Sequence, residues 1–227
     1  MDPKLRLKPI ELLDIGVDKL TKIPVPILSS NINPTFAMEN ELPNDTFILT
    51  FDSNYSDAIL SFTFFTDYQI YLTFNFGDGF IENWIIPSGY TSMLHVYTGA
   101  TTTYNVTVNG WLDRIKTLII LPSGTTEGGV TTADITQMKK LSYVDLSNNR
   151  LTSLSLSGMI YLNTIKLDNN YFTNDIIDDL YIDADTFLTF NGSMSTTGIN
   201  NGVPSIYSDI ARNSLTVYKQ WTLNYNT

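Results

Sequence analysis

A repeat between Leu141 and Phe172 constrains the fold of this chain more than any other feature of its sequence. The segments LSYVDLSNNRLTSL and LNTIKLDNNYF superpose when Leu141 is placed on Leu162, a shift of 21 residues. One copy cannot bury its own apolar edge, so neighbouring copies have to stack and share a core. The predicted core positions recur in both copies: Leu141, Val144, Leu146, Asn149 and Leu151, then Leu162, Ile165, Leu167, Asn170 and Phe172.

The pattern L-x-x-L-x-L-x-x-N-x-L resembles that of leucine-rich repeats. We expect Asn149 and Asn170 to turn their amides inward and to satisfy backbone groups at the bend after each strand. The residues between the buried ones then point outward and form a predicted partner-binding face. Its members are Tyr143, Asp145, Ser147, Thr164, Lys166 and Asp168.

The flanking sequence is interpreted as further, less regular turns of the same coil. The apolar spacing of Ile115, Leu118 and Ile120 matches that of a repeat strand. Downstream we predict short helices, strands and a closing strand that caps the last apolar face. These are a helix over Thr132–Lys140, a helix over Asn174–Asp185 with its acidic residues in water, a strand at Leu188 and Phe190, a helix over Pro204–Leu215 and a capping strand over Trp221–Tyr225.

Residues 46–110 show a different pattern of short strands separated by turns, which favours a small β-sandwich. The predicted strands are rich in Phe, Tyr, Ile, Val and Thr, and the turns contain Gly, Asp, Asn and Ser. They cover Thr46–Phe51, Ala58–Phe65, Gln69–Phe76, Leu94–Tyr97 and Thr103–Val108.

Three elements of this region, FNFGDG at Phe74–Gly79, HVY at His95–Tyr97 and YNVTV at Tyr104–Val108, resemble a polycystic-kidney-disease (PKD) domain. The resemblance covers residues 45–110 and implies an immunoglobulin-like sandwich that serves as a spacer or binding module without catalysis. A PKD-like module followed directly by leucine-rich repeats resembles surface proteins of gut Bacteroidetes and of their phages.

The Gly-Asp-Gly turn is predicted to be structural. Gly77 and Gly79 permit a positive φ in a tight hairpin, and Asp78 can accept hydrogen bonds from backbone amides in the turn. We interpret His95 as a satisfied structural histidine that bonds across to Asp78, because the sequence displays no partners for a catalytic triad.

The sequence therefore predicts a mainly β fold with some α-helix: a PKD-like β-sandwich packed on a short leucine-rich-repeat solenoid and preceded by an extended N-terminal arm. The boundaries are 1–35 for the proline-rich arm, 36–112 for the sandwich and 113–227 for the solenoid with its C-terminal capping strand. The junction contains no flexible linker, and Trp111 is expected to be buried there.

Composition argues against most enzyme and cofactor classes. The chain has no Cys and one His, and its net charge of −10 offers no basic surplus for nucleic acid. Two groups, Asp52 with Asn54 and Asp57, and Asp183 with Asp185, could offer oxygen ligands to calcium. Neither group fits the EF-hand loop, and we predict no metal and no cofactor. No apolar stretch is long enough for a membrane span.

The favoured hypothesis is a non-enzymatic structural and adhesion protein displayed on a phage virion. The N-terminal residues carry charges that interrupt any signal-peptide core, and virion assembly in the host cytoplasm needs no export signal. The arm would bind other virion proteins, and the exposed modules would bind host glycan or protein. A bacterial cell-surface binding protein is the first alternative and a carbohydrate-active enzyme the second; the ligand and oligomeric state stay open.

Overall fold

The computed structural model describes residues 45–53, 58–98, 102–123 and 128–227. The predicted arm at 1–35 and two of the candidate calcium ligands, Asn54 and Asp57, lie outside these ranges. Within them, the chain forms strands in two sheets and a few short helices. The strands are β1 (Thr46–Ser53), β2 (Ala58–Thr66), β3 (Ile70–Asn75), β4 (Ile81–Ile86), β5 (Gly89–Tyr97), β6 (Thr102–Gly110), β7 (Ile115–Ser123), β8 (Gly129–Asp134), β9 (Tyr143–Asp145), β10 (Thr164–Lys166), β11 (Ser193–Ser195) and β12 (Thr222–Asn224).

The first sheet has five antiparallel strands in the order β4-β3-β6-β1-β8. The second has seven strands in the order β12-β11-β10-β9-β7-β2-β5. Strand β7 joins two kinds of pairing, since it runs antiparallel to β2 and parallel to β9. The predicted boundary at residues 112 and 113 therefore lies just before a strand that belongs to both halves of one continuous sheet.

The five predicted strands of the amino-terminal half are present, several of them longer than expected, and their alternation sets the core. Phe47, Leu49 and Phe51 of β1 are buried, as every second residue of β2 is. Rings from the two sheets meet between them, with the centroids of Phe62 and Phe74 5.6 Å apart. The two sheets thus pack face to face through an aromatic core.

In the carboxyl-terminal half, the apolar positions of the repeat line up in one column. Strand pairing places Leu118 beside Val144, Val144 beside Ile165, Ile165 beside Met194, and Met194 beside Leu223. Leu141, Leu146, Leu162 and Leu167 are fully buried in the same core. One short strand per turn of the chain, each parallel to the next, is what stacking of the 21-residue unit requires.

The helical segments of the coil pack against one another. Helix α1 (Asn174–Asp185) spans the residues predicted for it, and Thr173 is its N-cap. Helix α2 (Asp209–Asn213) lies between a 3₁₀ turn (Ile206–Ser208) and a π-helical turn (Ser214–Tyr218). Within the described part of the chain, no helix has the length and apolar character needed to cross a bilayer.

Three expectations about these elements were wrong, and one strand was missed. The segment predicted as a helix over Thr132–Lys140 starts within strand β8, because β1 offers a pairing partner far away in sequence. Strand β4 was not predicted. Leu188 and Phe190 are exposed, and the strand of that turn is β11 instead. In α1, Asp178 is buried rather than in water. The capping strand is present as β12, and Trp111 is buried at the junction.

Candidate partner-binding site

The Gly-Asp-Gly turn holds the one histidine of the chain. The Nε2 atom of His95 lies 2.7 Å from Oδ2 of Asp78, and Phe80 donates its backbone N–H to the other carboxylate oxygen at 3.0 Å. The imidazole stacks on the ring of Phe76 at 3.8 Å. His95 is buried, and Gly77 and Gly79 have the expected positive φ. The predicted His95–Asp78 contact is present, and its surroundings fit a structural role.

The repeat asparagines form a ladder along the coil. Asn149 donates to the carbonyls of Ile120 and Leu146, and its Oδ1 accepts from the backbone of Val130. Asn170, one turn further, makes the equivalent set of bonds. A third rung, Asn201, was not predicted; its amide donates to the carbonyls of Leu167 and Thr196, and its Oδ1 accepts from Phe172.

The predicted partner-binding residues lie mostly together on the outer side of the parallel strands. Pairing sets Tyr143 beside Thr164 and Asp145 beside Lys166. The ammonium group of Lys166 lies 5.6 Å from the centre of the Tyr143 ring and 3.9 Å from a carboxylate oxygen of Asp145. The adjacent Tyr143 hydroxyl raises the pKa of Lys166, and the nearby carboxylates raise it further. A lysine stays charged on this face at neutral pH.

Three of the six predicted residues do not present a free side chain. Asp145 accepts the backbone N–H of Ser147 at 3.1 Å and pairs with Lys166. Ser147 is buried, contrary to the prediction, because the chain already bends inward toward Asn149 at this position. Asp168 is engaged by its own fold: one carboxylate oxygen accepts bonds from the Ser195 hydroxyl and from the backbone and hydroxyl of Thr197. Asp168 therefore fastens one turn of the coil to the next.

The same face continues into the amino-terminal half, which the sequence did not reveal. Residues paired across strands point to the same side of a sheet. One row therefore crosses the sheet; it comprises Tyr90, Phe65, Thr117, Tyr143, Thr164, Ser193 and Thr222. The row beside it comprises Ser92, Thr63, Ile119, Asp145, Lys166, Ser195 and Asn224. We call this outer side of the second sheet the seven-strand face.

The seven-strand face has an apolar half and a polar half. Over β5, β2 and β7 it exposes Tyr90 (71%), Leu94 (63%), Leu121 (40%) and Val96 (39%). The ring of Phe65 packs against Tyr90 at 4.9 Å. Over β9 to β12 the face carries hydroxyls, amides, carboxylates and Lys166. The alternation of β5 was the available signal, since Met93, His95 and Tyr97 point inward and the residues between them outward.

Two acidic residues of α1 are held by hydrogen bonds within the fold. Burial acts to raise the pKa of Asp178, but hydrogen bonds from Ser205 and Ser208 outweigh it and lower that pKa below its ordinary value. Burial raises the pKa of Asp183, whose carboxylate accepts the backbone N–H of Leu156 at 2.9 Å. The described residues contain no group of three or more His, Cys, Asp or Glu side chains placed to hold a metal ion.

The sequence matches no protein-family model. Neither curated protein sequences nor solved structures show a significant similarity to it.

Proposed function

We propose that the protein is a non-enzymatic binding protein that contacts its partner through the seven-strand face. The observation that carries this proposal is the exposed apolar half of that face, formed by β5, β2 and β7. Apolar side chains that lie together on a surface mark interaction sites more often than scattered ones do. Aromatic rings, neutral polar groups and a lysine beside a carboxylate suit a partner surface that is itself mixed, such as a protein.

The finer fold assignment belongs to the same proposal. We infer that the amino-terminal half is a PKD-like sandwich, which is supported by the turn at Asp78 and its bond to His95. We infer that the carboxyl-terminal half is a short leucine-rich-repeat solenoid, which is supported by the column of buried apolar residues and by the asparagine ladder. Both inferences favour a display scaffold over an enzyme.

The biological setting we propose is the outside of a phage particle, with residues 1–35 as the anchor to other virion proteins. This setting rests on the sequence resemblance. Gene neighbourhood tests it directly: portal and capsid genes beside this gene support it, whereas a lipobox or cleaved leader upstream in the reading frame supports a bacterial cell-surface protein. In the identified phage, deletion of residues 1–35 is expected to abolish incorporation into particles, and normal incorporation contradicts the anchor.

The proposed binding face is tested with two matched substitutions. Leu94 on the face and Ile81 on the other sheet are 63% and 62% exposed, so aspartate costs each site a similar amount of stability. Labelled full-length Leu94→Asp protein is expected to bind cells of the host species at least about tenfold more weakly than wild type, because interface centres tolerate charge poorly. Ile81→Asp protein is expected to bind normally. Equal binding by both variants contradicts the proposal.

The enzymatic alternative is tested separately. Host capsular and cell-wall polysaccharides are incubated with the wild-type protein, and reducing ends are measured. We expect no release above the buffer control. If the wild-type protein releases reducing ends and the Asp178→Asn or Asp183→Asn protein releases fewer, glycan cleavage is the function instead of binding.

A further inference from the structure

The carboxyl-terminal end of the coil exposes the edge of β12. The backbone N–H of Thr222 donates to Gly192 at 2.9 Å, and the carbonyl of Asn224 accepts from Thr196 at 2.9 Å. Both groups point toward β11, so the alternation of a strand directs the N–H and carbonyl of Leu223 away from it. Within the described residues, no strand pairs with β12 on that outer side.

The helical segment before β12 is apolar on two sides. Ser208, Ala211 and Leu215 are buried against the coil. Five large apolar side chains are exposed on the rest of the segment: Ile206 (78%), Tyr207 (80%), Ile210 (85%), Val217 (60%) and Tyr218 (72%). The terminal turn of a stacked coil normally exposes a polar outer surface to water. This segment does not, which indicates that a further layer covers it.

We propose that the layer is a second copy of this chain, docked end to end about a two-fold axis. At its other end the coil continues through β7 into β2, so the described part of the chain has one uncovered coil end. Two copies that dock through this end meet tail to tail. An isologous contact of this kind closes on itself and gives a dimer, not a filament.

The exposed surface has a size that fits such a dimer. A fully exposed Ile, Val or Tyr side chain offers on the order of 100–200 Å², so five side chains at these exposures supply roughly 600 Å² per copy. With the β12 edge this approaches the roughly 800 Å² per partner of a standard interface.

Charges near the surface are paired within the chain, which favours self-association over a strongly charged partner. Arg212 bridges to Asp209, and Lys219 lies 3.7 Å from Asp185. These two pairs add no net charge where the two copies would meet.

The pairing register of the dimer follows from the outward backbone N–H and carbonyl groups of β12. In an antiparallel pair, residues that exchange both backbone bonds lie directly opposite each other. Leu223 is the residue of β12 with both groups turned outward, so Leu223 pairs with Leu223 of the second copy. The two sheets then join into one.

The test measures the mass of the full chain in solution by sedimentation over about 1–100 µM, a range that detects micromolar self-association. Wild type is expected to reach twice the 25.5 kDa of one chain. The double variant Tyr207→Glu/Ile210→Glu is expected to stay at one chain mass, or to dimerise at least about tenfold more weakly. Both positions are exposed, and circular dichroism confirms that the variant folds.

Leu94→Asp is the matched control, because it places an acid on an exposed apolar site of the seven-strand face. It is expected to lose partner binding and to keep the dimer, so failure of this inference and failure of the proposed function give different results.

Hydrogen exchange adds a residue-level readout. The amide of Leu223 should be protected in wild type and exposed in the double variant, while the amide of Thr222 stays protected in both. A wild-type monomer at the highest concentration, a dimer that survives the double substitution, or assemblies larger than two would each overturn the inference.

Discussion

Replacing Asn170 by Ala tests whether the asparagine ladder stabilises the coil. Asn170 is fully buried. Its amide donates to the carbonyls of Leu146 and Leu167 at 3.0 Å each, and its Oδ1 accepts the N–H of Leu151 at 3.0 Å. Alanine removes these three bonds and a longer one to the Asp168 carbonyl at 3.4 Å, and it leaves a small cavity.

The loss of stability depends on which backbone groups are left without any hydrogen bond. The carbonyl of Leu146 keeps a bond from Asn149, and that of Leu167 keeps one from Asn201. Only the Leu151 N–H is left without a partner, which costs about 1–3 kcal/mol. With the cavity and the two weakened acceptors, we expect the free energy of unfolding to fall by about 2–4 kcal/mol. Urea unfolding, followed by circular dichroism, measures it.

Asn169→Gly is the matched control. The Asn169 side chain is exposed and bonds to Asn148 at 2.9 Å, and its φ of 54° suits glycine. We expect a loss below about 1 kcal/mol.

Double substitutions decide whether the ladder is shared. Asn149→Ala with Asn170→Ala strips the Leu146 carbonyl of both donors, so the pair should cost at least about 1 kcal/mol more than the sum of the single changes. Asn149 and Asn201 share no acceptor, and their combined effect should be additive within about 0.5 kcal/mol. Equal additivity in the two pairs, or a loss at Asn170 no larger than at Asn169, would refute this reasoning.

Three further predictions concern other parts of the fold. Asp178→Ala should cost about 2–4 kcal/mol at neutral pH, because the Ser205 N–H and the Ser208 hydroxyl lose their acceptor. The pKa of Asp178 is lowered in the folded state, so its contribution to the free energy of unfolding is complete above about pH 4 and declines as the pH falls further. The difference in stability between wild type and variant should therefore narrow in acid. Gly110→Ala should cost more than about 3 kcal/mol in the same urea assay, because the φ of Gly110 is 138° and an added Cβ would lie 2.2 Å from the Tyr71 carbonyl oxygen. Gly79→Ala is the control. Gly79 has a φ of 97° and no described atom within 4 Å of an added Cβ, so this change should cost about 1–2 kcal/mol. Asp78→Ala should lower the melting temperature by removing the acceptor of His95 and Phe80, at a cost of about 1–2 kcal/mol, while Asp67→Ala, which removes a surface pair with Lys116, should change it little.

The sequence allowed the repeat to be predicted where spacing and residue type agree. Asn149 and Asn170 each follow the last strand-side leucine by three positions, so the two turns superpose without a gap. The third turn escaped detection because Thr196 and Asn201 are five positions apart, two more than Leu167 and Asn170. Gly198 accommodates the longer bend, since its positive φ places it against Asn169 where a side chain would collide.

The candidate site was predictable only in its carboxyl-terminal half. The alternation within each repeat gave Tyr143, Thr164 and Lys166 as outward residues, and the structure agrees. No local pattern shows that β7 pairs with β2 on one side and β9 on the other, because both contacts join segments far apart in sequence. The apolar half of the face depends on that pairing. Strand β8 was misassigned for a similar reason, because its partner β1 lies far away in sequence.

Strand β7 also has a mechanical consequence. It is shared by an antiparallel and a parallel ladder, so backbone hydrogen bonds run without interruption from one half of the chain to the other. A plane of seven strands at about 4.8 Å spacing measures on the order of 30 Å across. A tensile or twisting force applied at one edge strand is therefore transmitted to the opposite edge strand, because no break in strand pairing separates them.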